Sequence, residues 1–192
     1  MGNLLVQYIS KFIDLSQEEI DAMNQYIPIK TFEKGTVLIR EGEVCDVCYF
    51  NLKGLVRQYR TIEGEEKTTF FYTEEQPLNT IKSVMEKSPS LYSLSCLEDT
   101  TLAIGTTEVE QDFFERFPQF ETLGRLLTEQ NNSELLESFE NFKLQSPEER
   151  YFDLLNKNPL LIQRVAQYHL ASYLGMTPES LSRIRKRTAF KS

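Results

Sequence analysis

The sequence is poor in the residues that most often hold metals or carry catalysis. Its 192 residues include one histidine, His169, and three cysteines, Cys45, Cys48 and Cys96. A haem or metal would need at least one more good ligand beside His169. Placed at the start of a helix, His169 is expected on the helix surface, facing solvent or phosphate. Three cysteines do not suggest a disulfide scaffold, and an iron–sulfur cluster usually takes four ligands. Cys45 and Cys48 have C-x-x-C spacing at the start of an expected strand, where residues three apart point to opposite faces. They read as core or half-buried thiols, and no metal site is expected. No run approaches the ~18 apolar residues of a membrane span. No signal peptide opens the chain, because Asp14, Glu18 and Glu19 come too early. A soluble cytoplasmic protein without a membrane partner is the expectation. There is no Gly-rich phosphate loop and no supported Ser/His/Asp set. The acidic runs Glu63–Glu66 and Glu74-Glu75 have no base, nucleophile or oxyanion donor nearby, so they read as solvated loop charge. An enzyme is not expected.

What is present is an uneven charge distribution. The whole chain carries a net charge of −8, which taken alone argues against a polyanionic partner. From Ser146 onward, however, eight Lys/Arg face four Asp/Glu, a net of +4, while residues 1–145 carry thirteen and twenty-five, a net of −12. An acidic body with a basic end suits docking on a polyanion through that end, with the body repelled and one orientation favoured.

In chain order, residues 3–27 read as helical. Leu4, Leu5, Tyr8, Ile9 and Phe12 share a face, and Ser16 with Glu19 forms a capping-box pattern. Five of the eight glycines, Gly35, Gly42, Gly54, Gly64 and Gly105, then punctuate short β-like runs. These runs are Val37–Ile39, Val47–Leu52, Leu55–Ile62, Lys67–Tyr72 and Thr100–Ile104, with Glu63-Gly64 as a hairpin signal. Their spacing predicts a small barrel or sandwich. No proline lies between Pro118 and Pro147, and Phe120, Leu123, Leu127, Leu136, Phe139 and Phe142 form an apolar stripe broken near Gln130–Asn132. That predicts one helix of roughly 24 residues, ~36 Å long, packed partly on the β unit and partly on its copy in a second chain. Phe113, Phe114, Phe117 and Phe120 read as core where the β unit meets the helix. Ser146-Pro147-Glu148-Glu149 starts a new helical unit.

The most informative stretch is Gln167–Arg187. Leu170, Tyr173 and Leu174 recur at helical spacing before Gly175, a C-cap signal. Thr177 can cap a second helix with Pro178 at its first position and Glu179 in its first turn. Ala171 is small where the helices would cross, and Leu181 and Ile184 form an inner face. Glu179, Arg183, Lys186 and Arg187 fall on the outer face. This is the pattern of a helix-turn-helix whose capped, basic second helix fits a major groove.

The order Phe32-Glu33-Lys34-Gly35-Thr36-Val37-Leu38, Glu41-Gly42-Glu43, Tyr49-Phe50, Lys53-Gly54-Leu55-Val56-Arg57 and Leu97-Glu98-Asp99-Thr100, with Ala171 to Arg183 behind it, resembles the Crp/Fnr (cAMP receptor protein and FNR) family of bacterial transcription regulators. The resemblance covers nearly the whole chain. It implies an α+β fold with three parts: an N-terminal cyclic-nucleotide-binding-like β-roll, or double-stranded jelly roll (1–118), a long dimerisation helix (119–145) and a C-terminal helix-turn-helix domain (146–192). It further implies a homodimer on double-stranded DNA, a small-molecule effector in the roll, and RNA polymerase as a further partner. Pro178, Glu179, Ser182 and Arg183 would lie at base edges and Arg185, Lys186 and Arg187 at phosphates, with Thr177 also among the DNA-binding residues.

Two departures qualify the resemblance. Cyclic-nucleotide binders of the family carry a Gly-Glu pair and an Arg-Ser or Arg-Thr pair that hold the cyclic phosphate, because a buried anion wants a guanidinium and backbone donors. Here the corresponding Arg-Ser positions hold Ser90 and Leu91. No Gly lies between Gly64 and Gly105 and no Arg between Arg60 and Arg116, so cAMP is not expected to bind and the effector is left unknown. Only five residues follow Arg187, so the strand pair that often follows the motif is missing from the sequence. The alternative reading is a stand-alone small-ligand-binding β-roll that never touches DNA. A further one is a DNA-binding dimer whose roll is only a scaffold.

Overall fold

The computed structural model describes residues 2–78 and 80–189; the last three residues of the expected 146–192 unit lie outside the described residues. The chain divides into two compact units, Met1–Arg60 with Phe71–Leu127, and Thr61–Phe70 with Thr128–Ser192.

The first unit opens with two short helices, α1 (Leu4–Ile9) and α2 (Gln17–Tyr26). Asn3 caps α1, and Ser16 and Glu19 close the expected capping box on α2. Leu5 and Tyr8 of α1 are buried, whereas Phe12 lies past the helix end and is 46% exposed, contrary to its expected place on the inner face. The strands are β1 (Ile29–Phe32), β2 (Val37–Ile39), β3 (Cys48–Lys53), β4 (Val56–Ile62), β5 (Glu65–Tyr72), β6 (Gln76–Pro77), β7 (Ser93–Cys96) and β8 (Thr100–Gly105). They form two four-stranded sheets, ordered β1-β8-β3-β6 and β2-β7-β4-β5. Pairings of β1 and β3 with β8, β3 with β6, and β2 and β4 with β7 are antiparallel. This is a jelly-roll-type β-roll. The expected turn joins β4 to β5, with Glu63 at φ 53° and Gly64 at φ 81°. Positive φ at both central residues is the twist-matched geometry for a two-residue hairpin.

Three strands were not expected from the sequence: β1, β6 and β7. The first contains Lys30 and Thr31, the second is two residues long, and the third reads Ser-Leu-Ser-Cys. The last two are held by their neighbours in the sheet rather than by their own β propensity, and the first is a short run whose Ile29, Thr31 and Phe32 suit a strand.

Between β6 and β7 runs a short helix, α3 (Ile81–Glu86). After β8 come α4 (Thr107–Arg116) and α5 (Pro118–Leu144), a 27-residue helix. The polar stretch Gln130–Asn132 interrupts the apolar stripe but not α5. Gln130 donates to Glu134, and the Ser133 hydroxyl donates to the Glu129 carbonyl four residues back. Phe113, Phe117 and Phe120 pack edge-to-face or tilted, with centroids 5.1, 4.9 and 6.2 Å apart. They join Leu5, Ala22, Met23, Leu52 and Ala103 in one buried cluster. Each aromatic pair adds about 0.5–1.5 kcal/mol beyond the area it buries.

The second unit continues from α5 into α6 (Pro147–Lys157), α7 (Pro159–Arg164), α8 (Gln167–Leu174) and α9 (Pro178–Ala189). Ser146 and Glu149 form the expected capping box, with Pro147 in the first turn. That box holds the Glu149 carboxyl below its ordinary range, through hydrogen bonds from the Ser146 backbone and hydroxyl. The hairpin tip belongs to this unit as well: the Thr68 N–H donates to the Ser172 hydroxyl of α8 at 2.9 Å.

Candidate functional site

The α8–turn–α9 segment forms as its residue pattern predicts. Leu170, Ala171, Leu174, Leu181 and Ile184 are buried, and Ala171 leaves no exposed surface at the crossing. Gly175 ends α8 at φ 72°, a left-handed conformation that costs an L side chain. The Met176 N–H then bonds back to the Ala171 carbonyl at 3.0 Å. Thr177 caps α9, its hydroxyl oxygen accepting from the Ser180 N–H at 3.2 Å. Gln167, at the start of α8, donates to the Pro178 carbonyl at 2.9 Å and ties the two helix starts together. The Glu179 carboxyl is held below its ordinary range by its own backbone N–H and by the Thr177 hydroxyl.

The outer face carries the candidate contacts. Thr177, Pro178, Glu179, Arg183, Arg185, Lys186 and Arg187 are exposed and Ser182 is half-buried. Arg183 donates to the Ser180 hydroxyl at 3.3 Å, so its guanidinium lies along the outer face near the helix start. Arg187 is engaged within the molecule: it pairs with Glu148 of α6 at 2.8 Å.

His169 is not a surface residue as expected. It is 8% exposed, with its ring centroid 4.0 Å from that of Tyr168, and it precedes the buried Leu170 and Ala171 in α8. Tyr168, 61% exposed, takes the outward position instead.

Sequence reasoning also missed Arg150. From α6 its guanidinium lies 3.5 Å from the Phe142 ring centroid and donates twice to the Phe142 carbonyl, at 3.1 and 2.7 Å. A third bond reaches the Leu174 carbonyl at 3.2 Å. One side chain thus joins the ends of α5 and α8 at the wall of a cleft of about 340 Å³. Phe142 belongs to the apolar stripe of α5, where Leu135, Leu136, Phe139 and Phe142 are 53%, 64%, 57% and 44% exposed.

The other candidate region is the roll between β5 and β7. Ser90 is buried, and its hydroxyl donates to the Tyr92 carbonyl at 2.7 Å. Leu91 beside it is 57% exposed. Ser83 receives the Cys45 N–H and donates to the Ser88 carbonyl. The two cations of the stretch, Lys82 and Lys87, face solvent. A buried cation does come from outside it: Arg57 on β4, stacked 4.3 Å from the Tyr59 ring centroid.

The thiols are free, Cys45 and Cys96 buried and Cys48 half-buried. Cys45 precedes β3 rather than lying in it, so the strand-parity expectation does not apply to it; its sulfhydryl donates to the Val47 carbonyl. Burial pushes all three thiols above their ordinary values. Glu74 and Glu75 are more than loop charge: Glu74 accepts from the Gly54 N–H at 3.1 Å, and Glu75 pairs with Lys11. Among the described residues no group of three or more His, Cys, Asp or Glu could hold a metal ion. Among them too, no helix is long and apolar enough to cross a membrane.

Residues 29–117 match the sequence model of the cyclic nucleotide-binding domain family. No curated protein matches the chain by sequence. Among solved structures, a mutant of CooA from Carboxydothermus hydrogenoformans aligns over 98% of this chain and 85% of its own, at TM-score 0.71 and 16% identity. The c-di-GMP-responsive global regulator CLP of Xanthomonas campestris aligns over 92% of this chain and 93% of its own, at TM-score 0.67 and 17% identity. FixK2 from Bradyrhizobium japonicum covers 86% and 85%, at TM-score 0.66 and 17% identity. At these identities the likeness is one of fold.

Proposed function

We propose that this chain is a transcription regulator of the Crp/Fnr type, a homodimer that binds double-stranded DNA through α9 and answers to a small effector other than cAMP. The observation that carries this reading is α9 itself. Its inner face, Leu181 and Ile184, is buried, while Arg183, Arg185 and Lys186 are exposed on a helix capped at Thr177. The matched cyclic nucleotide-binding region and the regulator named among the fold neighbours support the same reading. Pro178, Glu179, Ser182 and Arg183 meet base edges beside the cap at Thr177, and Arg185 and Lys186 meet phosphates, while Arg187 is held by Glu148. The exposed stripe of α5 is the dimer seam, a use suited to an otherwise solvated apolar helix face. Two-fold symmetry then sets the two copies of α9 about 34 Å apart, one helical turn of DNA. RNA polymerase is a natural further partner, and no enzymatic step is assigned to any residue. In the roll, Ser90 and Leu91 offer no guanidinium for a cyclic phosphate, and the Ser90 N–H is already bonded to the Glu43 carbonyl.

Selection from a random duplex library, alongside sedimentation analysis, tests the reading. The expected result is a dimer that enriches an inverted repeat with half-sites one turn apart. A monomer with no salt-dependent duplex binding overturns it and favours the stand-alone ligand-binding roll.

A further inference from the structure

Arg187 sits in the last described turn of α9 with its guanidinium 2.8 Å from the Glu148 carboxylate. Glu148 lies in the first turn of α6, whose N-terminal end favours an anion whether or not a cation is near. It is not needed to cap that helix, because Ser146 and Glu149 already form the capping box. Both side chains are substantially open to water, 63% for Arg187 and 43% for Glu148. Such exposed pairs add little to folding stability. The Arg187–Glu148 contact therefore has a weak structural role, yet it neutralises one of the four cations that α9 presents between Arg183 and Arg187.

We propose that Glu148 withholds Arg187 from DNA phosphates and so weakens sequence-independent binding; this rests on the DNA-binding reading of α9. Sequence-independent affinity comes almost wholly from phosphates neutralised by cations, each contributing about 0.9 to the slope of log K against log salt. Base discrimination by Arg183 does not draw on Arg187. Keeping one cation paired thus lowers the affinity for any duplex and its sensitivity to salt. The ion pair persists on non-specific DNA, since releasing Arg187 would leave a bare carboxylate facing the phosphate backbone.

The test uses the full chain, a fluorescein-labelled 30-bp duplex of arbitrary sequence, and fluorescence anisotropy between 50 and 200 mM KCl. Glu148→Gln, which keeps the side-chain shape, is expected to bind more tightly than wild type. Its salt slope should steepen by about 0.9, a further loss of about 3.5-fold across that salt range. Arg187→Gln alone should bind no more tightly than wild type, because it leaves the Glu148 carboxylate unpaired, and in the double variant it should cancel the gain and restore the wild-type slope. A slope unchanged in Glu148→Gln, or a gain that survives in the double variant, overturns the proposal while the DNA-binding reading stands. Failure of wild type to bind the duplex at 50 mM KCl overturns both. Thermal unfolding of each variant checks that the fold is retained.

Discussion

Arg150 lies across the face of Phe142 and donates to the carbonyl of that same residue, so one guanidinium holds both the ring and the backbone at the end of α5. Its third bond ends on Leu174, beside the Gly175 turn. The two acceptors are carbonyls in the last turns of helices, where partial negative charge collects and a cation is favoured. Arg150→Ala should therefore cost about 1.5–3 kcal/mol, the range for charge-assisted hydrogen bonds. Urea unfolding followed by tyrosine fluorescence measures it, and hydrogen exchange should quicken around residues 142–146 and 174–176. Arg150→Lys should recover only part of the loss, because an ammonium lacks the planar fork that serves both carbonyls and stacks on the ring. Full recovery by lysine would show that charge alone matters there.

Gly54 has φ +102°, and a Cβ built on it would meet Thr100 Cα at 2.7 Å and the Asp99 carbonyl oxygen at 2.8 Å. Both obstacles are backbone, so they cannot swing aside. Gly54→Ala should cost about 2–4 kcal/mol, conformational strain plus overpacking. Gly35 also has positive φ, +87°, but nothing lies within 4 Å of its Cβ position. Gly35→Ala should cost only the strain, about 1–2 kcal/mol. Urea midpoints of the two variants should differ in that order, and equal losses would exclude the steric part.

Local features were legible in the sequence where the physics is local. The caps at Ser16, Ser146 and Thr177, the Glu63-Gly64 turn and the left-handed Gly175 all follow from residues within four positions of one another. The buried set of Leu170, Ala171, Leu174, Leu181 and Ile184 follows from the helical spacing on either side of the Gly175 turn. Legibility stopped where the partner lies far along the chain. Glu148 and Arg187 are 39 residues apart, and Thr68 and Ser172 are 104 apart. Neither pair leaves a periodic trace. His169 was misplaced for a related reason: a polar residue at the start of a helix looks solvated until the neighbours that cover it are known. The strand β7 was invisible because Ser-Leu-Ser-Cys has no intrinsic β signal, yet its side chains are largely buried between β2 and β4.

The thiols set a pH dependence of definite sign. Burial raises Cys45, Cys48 and Cys96 above their unfolded values, and burial likewise pushes Tyr49 up to about 12. A group whose folded value is raised favours the native state fully below its unfolded value, about 8.5 for a thiol. That contribution is lost as pH rises from there through the folded value. The urea midpoint should accordingly fall between pH 7.5 and pH 10, and the native protein should react slowly with a thiol reagent until unfolded. A midpoint constant or rising over that window would contradict the buried state of these groups.

Cyclic AMP should give no saturable heat on titration into the protein at micromolar concentrations. A cyclic phosphate in the roll needs a guanidinium and backbone donors directed at it. The Ser90 hydroxyl is engaged with the Tyr92 carbonyl, Leu91 is exposed, and Lys82 and Lys87 face solvent. Micromolar binding by isothermal titration would show that another buried cation, with Arg57 the first to test, supplies the missing charge.

Arg183 and Lys186 should fail in different ways when removed, because they are assigned different parts of the same duplex. Arg183 stands near the capped start of α9, held along its outer face by the bond to Ser180. A guanidinium there can take both acceptors of a guanine edge, a contact that discriminates by about 1–3 kcal/mol against a wrong base. Arg183→Ala should lose that discrimination on the selected site and change binding to arbitrary duplex much less. Lys186, nearly one turn further on, carries a compact charge suited to a phosphate, which is the same whatever the sequence. Lys186→Ala should weaken all duplexes alike and flatten the salt slope by about 1. A gel-shift salt series on selected and arbitrary duplexes separates the two patterns. If both variants weaken selected and arbitrary DNA in the same proportion, α9 meets only the phosphate backbone, and base reading must come from another element of the chain.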